Sequence, residues 1–299
     1  MIPSSMKQLD ACIVCRGDLA LFGPYSNYTY CRCLDCGTIQ LSPMPDKAEI
    51  KRAYETEYAA LKLDPDVWRR VSRPYYDSII KVLRDYRVNG LVVDYGAAKG
   101  HLVERMIQNG FDARGVELSL EEVEYAQRHG LPIQQGDLGA LSGLEGQVAA
   151  MTMMAVFEHM LDHAGALSVV HKLLVDGGLF ITMHPTAGAA NLLGNLLRFG
   201  DKHKHLPHLE GVLDAPWHTV LFSIDGTKQL LSQRGFRLLE IRAAPQGRLG
   251  GLRGVAQILL EWTNKLGWRV LRTRWPLVTT HIFVCQKLPE AASEQITSS

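Results

Sequence analysis

From position 89 onward the apolar residues fall into short blocks of two alternating kinds. Leu91-Val92-Val93-Asp94 and the stretches 113–117, 132–135 and 179–183 have the length of strands, and 148–154 is continuously apolar, as in a strand buried on both faces. Between them, 101–109, 120–129 and 164–174 carry helical spacing, stopped by Gly110, Gly130 and Asp176-Gly177-Gly178. Residues 222–234 predict a further helix with Gly235 behind it, 236–241 a strand and 280–286 a last strand. This alternation predicts an α/β fold: a Rossmann-like, mainly parallel, seven-stranded sheet with helices on both faces. In such sheets ligands bind beyond the carboxyl ends of the strands, so the residues just after each strand carry the functional interest.

Upstream, Val67, Val71, Tyr75, Ile79, Val82 and Tyr86 lie near a 3.6-residue period and predict a helix over 66–88; a shorter one is expected over 47–60. Residues 186–221 and 247–276 break the alternation and read as insertions, the second helical from about residue 252. The domain expectation is a small module over 1–45, a helical linker over 46–88, the main domain over 89–287, and a polar, disordered tail over 288–299.

Composition narrows the field. The chain has 299 residues, 46% apolar and 21% charged, which excludes wholesale disorder. A net charge of +1 argues against a nucleic-acid substrate held by phosphate contacts. No apolar run reaches the roughly 18 residues of a membrane span. The N-terminus lacks the apolar core of a signal peptide, so a cytoplasmic location is expected.

Five of six cysteines lie between positions 12 and 36. Cys12-x-x-Cys15 and Cys33-x-x-Cys36 form two knuckles with 17 residues between them, the spacing of a structural zinc site with four sulfur ligands. Cys31 is a spare whose spacing to Cys36 is worse than that of Cys33. Buried free thiols and a redox pair are the competing readings. Gly17 and Gly37 are expected to supply unusual backbone angles to the knuckles.

The first strand of the main domain runs into Asp94-Tyr95-Gly96-Ala97-Ala98-Lys99-Gly100, a tight turn on which backbone can approach a ligand. Glu117 ends the second strand, where a carboxylate can take both ribose hydroxyls, and Asp137 follows the third. The dinucleotide pattern is absent, because Ala98 stands at its second glycine, and so is the Walker pattern. For Asp94 and Asp137 the competing reading is helix capping.

These segments, with Val156-Phe157-Glu158-His159-Met160 and the run Leu173 to Ile181, resemble a class I S-adenosylmethionine-dependent methyltransferase (type 11/23-like) over about residues 70–286. The cysteine-bearing head and its proline- and tyrosine-rich linker resemble a small-molecule subgroup of that family. The departure is Ala98, where the family usually has glycine. The resemblance implies that Gly96, Ala97 and Gly100 approach the methionine part of the cofactor and that Asp94 orients the loop and the cofactor amine. It implies that Glu117 holds the ribose, Leu118 packs beside the adenine, Asp137 and Leu138 lie at the adenine, and Met154 and Ala155 line the crevice.

Methyl transfer to a hydroxyl is helped by a base, and three histidines follow strands or lie in the first insertion: His159, His184 and His218. His203, His205 and His208 read as a polar lid loop. No acidic magnesium cluster resembles that of metal-dependent catechol methyltransferases, so a metal-independent reaction is expected. The expected function is O-methylation of a natural-product, quinone-like or glycosyl acceptor. An RNA methyltransferase and a non-catalytic zinc-bearing interaction protein are the alternatives; no Asn-Pro-Pro-Tyr-like motif follows the fourth strand, which weighs against the first. Trp262, Trp268 and Trp275, interleaved with Lys265, Arg269, Arg272 and Arg274, admit peripheral membrane contact, with packing on the sheet as the plainer reading.

Overall fold

The computed structural model describes residues 11–25, 27–56, 64–197, 213, 215–245 and 251–289. The expectations for the tail beyond 289 and for His203, His205 and His208 fall outside them. Three short strands open the chain: β1 (Leu19–Tyr25), β2 (Tyr28–Cys33) and β3 (Ile39–Leu41). Helices α1 (Lys47–Thr56) and α2 (Pro65–Asp85) follow; Asp64 caps α2 by accepting from the amides of Asp66 and Val67. Then come β4 (Leu91–Tyr95), α3 (His101–Gln108), β5 (Ala113–Glu117), α4 (Leu120–Arg128), β6 (Ile133–Gln135), β7 (Val148–Met154), α5 (His163–Leu173) and β8 (Leu174–Pro185). The chain continues through α6 (Gly188–Leu197), β9 (Val220–Leu221), α7 (Ile224–Ser232), β10 (Phe236–Ala243), α8 (Gly251–Leu271) and β11 (Thr280–Lys287).

The main sheet has the order β10-β11-β8-β7-β4-β5-β6. The five central strands are parallel, and β11 runs antiparallel to both of its neighbours. The chain therefore has the Rossmann-like, seven-stranded, mainly parallel architecture that its alternation predicts. One face packs on Ile79, Val82 and Leu83 of α2, so this helix is part of the core rather than a linker. The other face packs on Phe157, Phe222, Leu230 and Phe236. The Asp176-Gly177-Gly178 turn does not end a helix. It sits inside β8 as an irregularity, between the pairs Val148↔Leu174 and Ala150↔Leu179.

The second sheet has the order β1-β2-β3-β9, three strands from the first 45 residues and one from later in the chain. Val220 and Leu221, from the stretch that reads as an insertion, form its fourth strand by pairing with Gln40 and Ile39. Around that pairing, the amide of Leu41 donates to the carbonyl of Thr219 at 2.9 Å, and Asn191 Nδ2 donates to the carbonyl of Gly37 at 2.8 Å. Ser223 caps α7 and donates its own hydroxyl to the carbonyl of Cys36. The cysteine-bearing sheet is thus hydrogen-bonded to the segment that follows β8, beside the carboxyl edge of the main sheet.

Candidate functional site

The parallel strands end together, and their last residues converge on one edge. Asp94 is the penultimate residue of β4 and is buried. Its carboxylate accepts from the hydroxyl of Thr152 on β7 at 2.5 Å, so it neither caps a helix nor holds the following loop. Burial, with the Glu117 carboxylate nearby, lifts its pKa to about 7, against the Thr152 hydrogen bond. Glu117 holds the loop instead. One of its oxygens accepts from the Ala98 amide and the other from the Ser119 amide, both at 2.9 Å. Asp137 caps the next turn by accepting from the Gly139 amide at 2.8 Å, as the capping reading anticipates, and it remains exposed.

The loop after β4 is shaped by close approach. A side chain at Gly96 would put its Cβ 2.3 Å from Val156 Cγ2, with φ at +77°. Ala98 takes φ 45° and Ala155, at the end of β7, takes φ 54°; both are left-handed positions that glycine fills without strain. Two strained alanines on one sheet edge mark a place where backbone conformation is imposed by the fold. Leu118 stands 65% exposed on this edge, an apolar side chain with its face uncovered. Leu138 is partly buried against the core beneath, Met154 is half-buried, and Ala155 is exposed.

Of the three histidines, two meet. His159 and His218 lie with ring centroids 5.0 Å apart. His159 Nδ1–H donates to the carbonyl of Trp217 at 2.8 Å, which leaves the lone pair on Nε2. That Nε2 is 3.9 Å from Glu158 Oε1, while Glu158 Oε2 is buried without a hydrogen-bond partner. Ligand atoms of Glu158, His159 and His218 all lie within 4.8 Å of one another. Burial drives the His159 pKa down to about 3, with His218 adding to it, and pushes Glu158 up to about 8. His184 is elsewhere: fully buried, stacked at 4.9 Å on Phe283 and packed on Phe157 and Phe222, with Nδ1–H donating to the carbonyl of Pro185. Its surroundings are those of a core residue.

Sequence reasoning missed α2 as a wall of this site. Tyr76 is close enough to Asp94 for the carboxylate to help burial raise the phenol to about 12. Arg69 donates to His101 Nδ1 at 3.5 Å and pairs with Glu104 at 2.9 Å. Thr152 was legible as the one hydroxyl in an otherwise apolar strand; nothing in the sequence pointed to the Trp217 carbonyl.

The four cysteines of the two knuckles also meet. Cys12 Sγ lies 3.7 Å from Cys36 Sγ and Cys15 Sγ 3.4 Å from Cys33 Sγ, and all four sulfurs fall within 4.8 Å of one another. The knuckles are built alike: Arg16 N donates to the carbonyl of Cys12 and Gly37 N to that of Cys33. The left-handed residue of the first is Arg16 (φ 64°), not Gly17. At Gly17 a Cβ would lie 2.0 Å from Asp35 Oδ2, so any side chain there obliges Asp35 to turn away. Cys31 is not in the cluster. The Cys12 thiol, by bonding to Cys36, holds the latter well below the ordinary thiol range.

With this geometry in place, the comparisons with known proteins are direct. A family model described as "Methyltransferase domain" matches residues 67–241. The chain belongs to that family. This methyltransferase is 31% identical over 99 residues to "Ubiquinone biosynthesis O-methyltransferase" of Psychrobacter cryohalolentis and of Psychrobacter arcticus, covering 30% of this chain and 38% of the length of those relatives. Its fold matches Burkholderia thailandensis 1,6-didemethyltoxoflavin-N1-methyltransferase, solved with 1,6-didemethyltoxoflavin and S-adenosylhomocysteine bound, with a TM-score of 0.53, 14% identity, and coverage of 89% of this chain and 99% of that one. It also matches a chain of the complex between the Haloferax volcanii Trm112 methyltransferase activator and a methyltransferase, with a TM-score of 0.55, 14% identity, and coverage of 81% and 98%.

The Glu158 carboxyl sets a pH dependence of stability. Its folded pKa, about 8, lies above its ordinary value of 4.5. The protonated group therefore contributes stability that is full below pH 4.5 and is lost as pH rises through 8. Glu158→Gln removes that loss. Thermal melts between about pH 5 and pH 8 are expected to show the variant gaining on the parent as pH rises; a constant difference across the range contradicts the burial argument.

Proposed function

We propose that this methyltransferase carries the methyl group of S-adenosylmethionine to a hydroxyl oxygen of a small molecule with some apolar surface, of natural-product, quinone-like or glycosyl type, without a catalytic metal ion. The observation that carries this reading is the tautomer of His159. The Trp217 carbonyl fixes its proton on Nδ1, so an accepting Nε2 is presented just beyond the end of β7. The small-molecule acceptor is supported by the near-neutral charge, which leaves little to hold a phosphate backbone. The hydroxyl is supported by the limited likeness to the two O-methyltransferases of ubiquinone biosynthesis.

The residues on the edge fit the cofactor. Gly96, Ala97 and Gly100 let backbone approach the methionine part, and the cradle at Gly96 is one that a Cβ would fill. Glu117 takes the ribose hydroxyls, exchanging its loop amides for them or sharing them. Exposed Leu118 covers the adenine, with Asp137 and Leu138 beside it, while Met154 and Ala155 line the crevice. Asp94, at a pKa near 7, is poised to ionise next to a cationic ligand. When bound, the cofactor supplies an electrophilic methyl on a positively charged sulfur, so the protein's work is alignment and handling of one proton.

His159 handles that proton. An imidazole with a pKa near 3 is a weak base toward an alcohol. As the new O–C bond formed at the expense of the methyl–sulfur bond, however, the hydroxyl would become an oxonium, a far stronger acid than an imidazolium, and Nε2 would take its proton late in the step. Glu158 and His218 flank that nitrogen and set its polarity. His184 takes no part in this reading. The four cysteines fit zinc: a tetrahedral ion with sulfur at about 2.3 Å puts its ligands about 3.8 Å apart, close to the observed 3.4 and 3.7 Å pairs. A closed four-sulfur site has no open position, so the zinc is structural.

Calorimetry with S-adenosylmethionine is expected to show one site per chain, and Glu117→Ala is expected to weaken it by roughly ten-fold or more, the cost of a charged hydrogen bond. Absence of binding, or an unchanged affinity in the variant, overturns the cofactor reading. With an accepted hydroxyl compound, His159→Ala is expected to lower kcat by about 10²-fold or more at little change in KM. The parent rate is expected to hold through pH 6.5, because His159 protonates only near 3. Full turnover in the variant removes His159 from the mechanism.

A further inference from the structure

Helix α8 wears its apolar residues on the wrong side for a helix packed only on its own protein. Trp262, Leu266 and Val270 follow one another at four-residue spacing and stand 70%, 66% and 73% exposed. The opposite face carries Asn264 and Gly267, both buried, and Trp268 against His281. Trp275 stays inside, donating its indole N–H to Asn264 Oδ1 at 3.0 Å. The plainer sequence reading, packing on the sheet, therefore holds for Trp268 and fails for Trp262, while Trp275 folds back on α8 itself.

Cations flank the exposed stripe. Lys265, Arg269, Arg272 and Arg274 lie on α8 and the turn that follows it, against a single carboxylate, Glu261, which pairs with Lys265 at 2.9 Å. Among the described residues no carboxylate pairs with the three arginines. This concentration stands out in a chain whose net charge is +1. No helix among the described residues is long and apolar enough to cross a membrane. An apolar stripe with an aromatic side chain, bordered by arginines, matches instead the interfacial layer of an anionic bilayer: the stripe enters the headgroup–acyl boundary and the cations meet lipid phosphates.

We infer that α8 docks this enzyme on an anionic membrane surface, with Trp262, Leu266 and Val270 inserted and Arg269, Arg272 and Arg274 on the headgroups. A second copy of the chain fits less well, because a two-fold interface through this face sets the same cations against each other. The placement suits the chemistry. Thr280, at the start of β11, pairs with Pro185, the last residue of β8, so α8 joins the sheet at its carboxyl edge. That junction lies two strand spacings, about 10 Å, from β7. Beneath the helix runs a cleft of about 870 Å³, walled by Tyr75, Ser78, Ala243, Pro245 and Trp268.

Flotation of the full-length protein with phosphatidylcholine vesicles, with and without phosphatidylglycerol, tests this. Binding is expected only with the anionic lipid, and is expected to fall with added salt. Arg269→Glu with Arg272→Glu is expected to lose about five-fold or more in affinity for each cation removed, and Trp262→Ser with Leu266→Ser to abolish flotation. All these side chains are exposed and outside the crevice, so S-adenosylmethionine binding and the melting temperature serve as controls that stay unchanged. Three results overturn the inference: no flotation with anionic vesicles, flotation indifferent to both double variants, or a dimer in sedimentation that Trp262→Ser with Leu266→Ser converts to monomer.

Discussion

Five residues, Trp217 to Leu221, tie the two sheets of this methyltransferase together, and the geometry of the site depends on them. Val220 and Leu221 are the fourth strand of the cysteine-bearing sheet. Thr219 donates its amide and hydroxyl to the carbonyl of Glu158, each at 3.0 Å, and its hydroxyl also reaches the carbonyl of Met160 at 2.8 Å. Tyr30 of β2 donates to the carbonyl of His218 at 2.8 Å. The carbonyl of Trp217 then selects the His159 tautomer. The acceptors are all main-chain carbonyls in a buried or partly buried setting, where each unpaired polar atom costs about 1–3 kcal/mol. The arrangement therefore persists as a unit or is lost as one.

This coupling gives the cysteine knuckles a function that a detached module would lack. Their sheet is the scaffold on which the His159–His218 pair is positioned, although no cysteine approaches that pair in the contacts observed. The electrostatics of the site follow the same logic. A carboxyl and an imidazole buried side by side are both driven toward their neutral forms, so the crevice presents little fixed charge of its own until a cation enters it. Asp94, Glu117 and Asp137 supply carboxylates at the ends of β4, β5 and β6. A sulfonium ligand suits such a distribution.

Much of the fold was legible in the sequence because periodicity and glycine stops are local signals. The strands from Leu91 to Met154 and the helices between them follow directly from apolar spacing. Two features were not local. Val220–Leu221 is too short to register as a strand, and its partner is 180 residues away in sequence. The Asp176-Gly177-Gly178 turn looks like a helix stop, yet β8 already begins at Leu174, because pairing with β7 resumes on both sides of the irregularity. At the candidate site, residue types at strand ends singled out Asp94, Glu117 and His159 as candidates, while their hydrogen-bond partners (Thr152, the Ala98 amide and the Trp217 carbonyl) emerged only with the tertiary structure. His184 shows the limit of position alone: it follows a strand, as a catalytic residue would, but the aromatic side chains around it place it in the core.

Hydrogen exchange before and after treatment of the purified enzyme with a chelator, which would strip the metal proposed for the four cysteines, tests the central claim, that the cysteine-clasped sheet holds the crevice in shape. The account predicts that metal removal strips protection from the amides of β3 and β9 and, with them, from Glu158 to Met160 and Thr219, while β5 and α4 keep theirs. Loss confined to the knuckles around Cys12 and Cys33, with the Glu158–Met160 turn still protected, contradicts it.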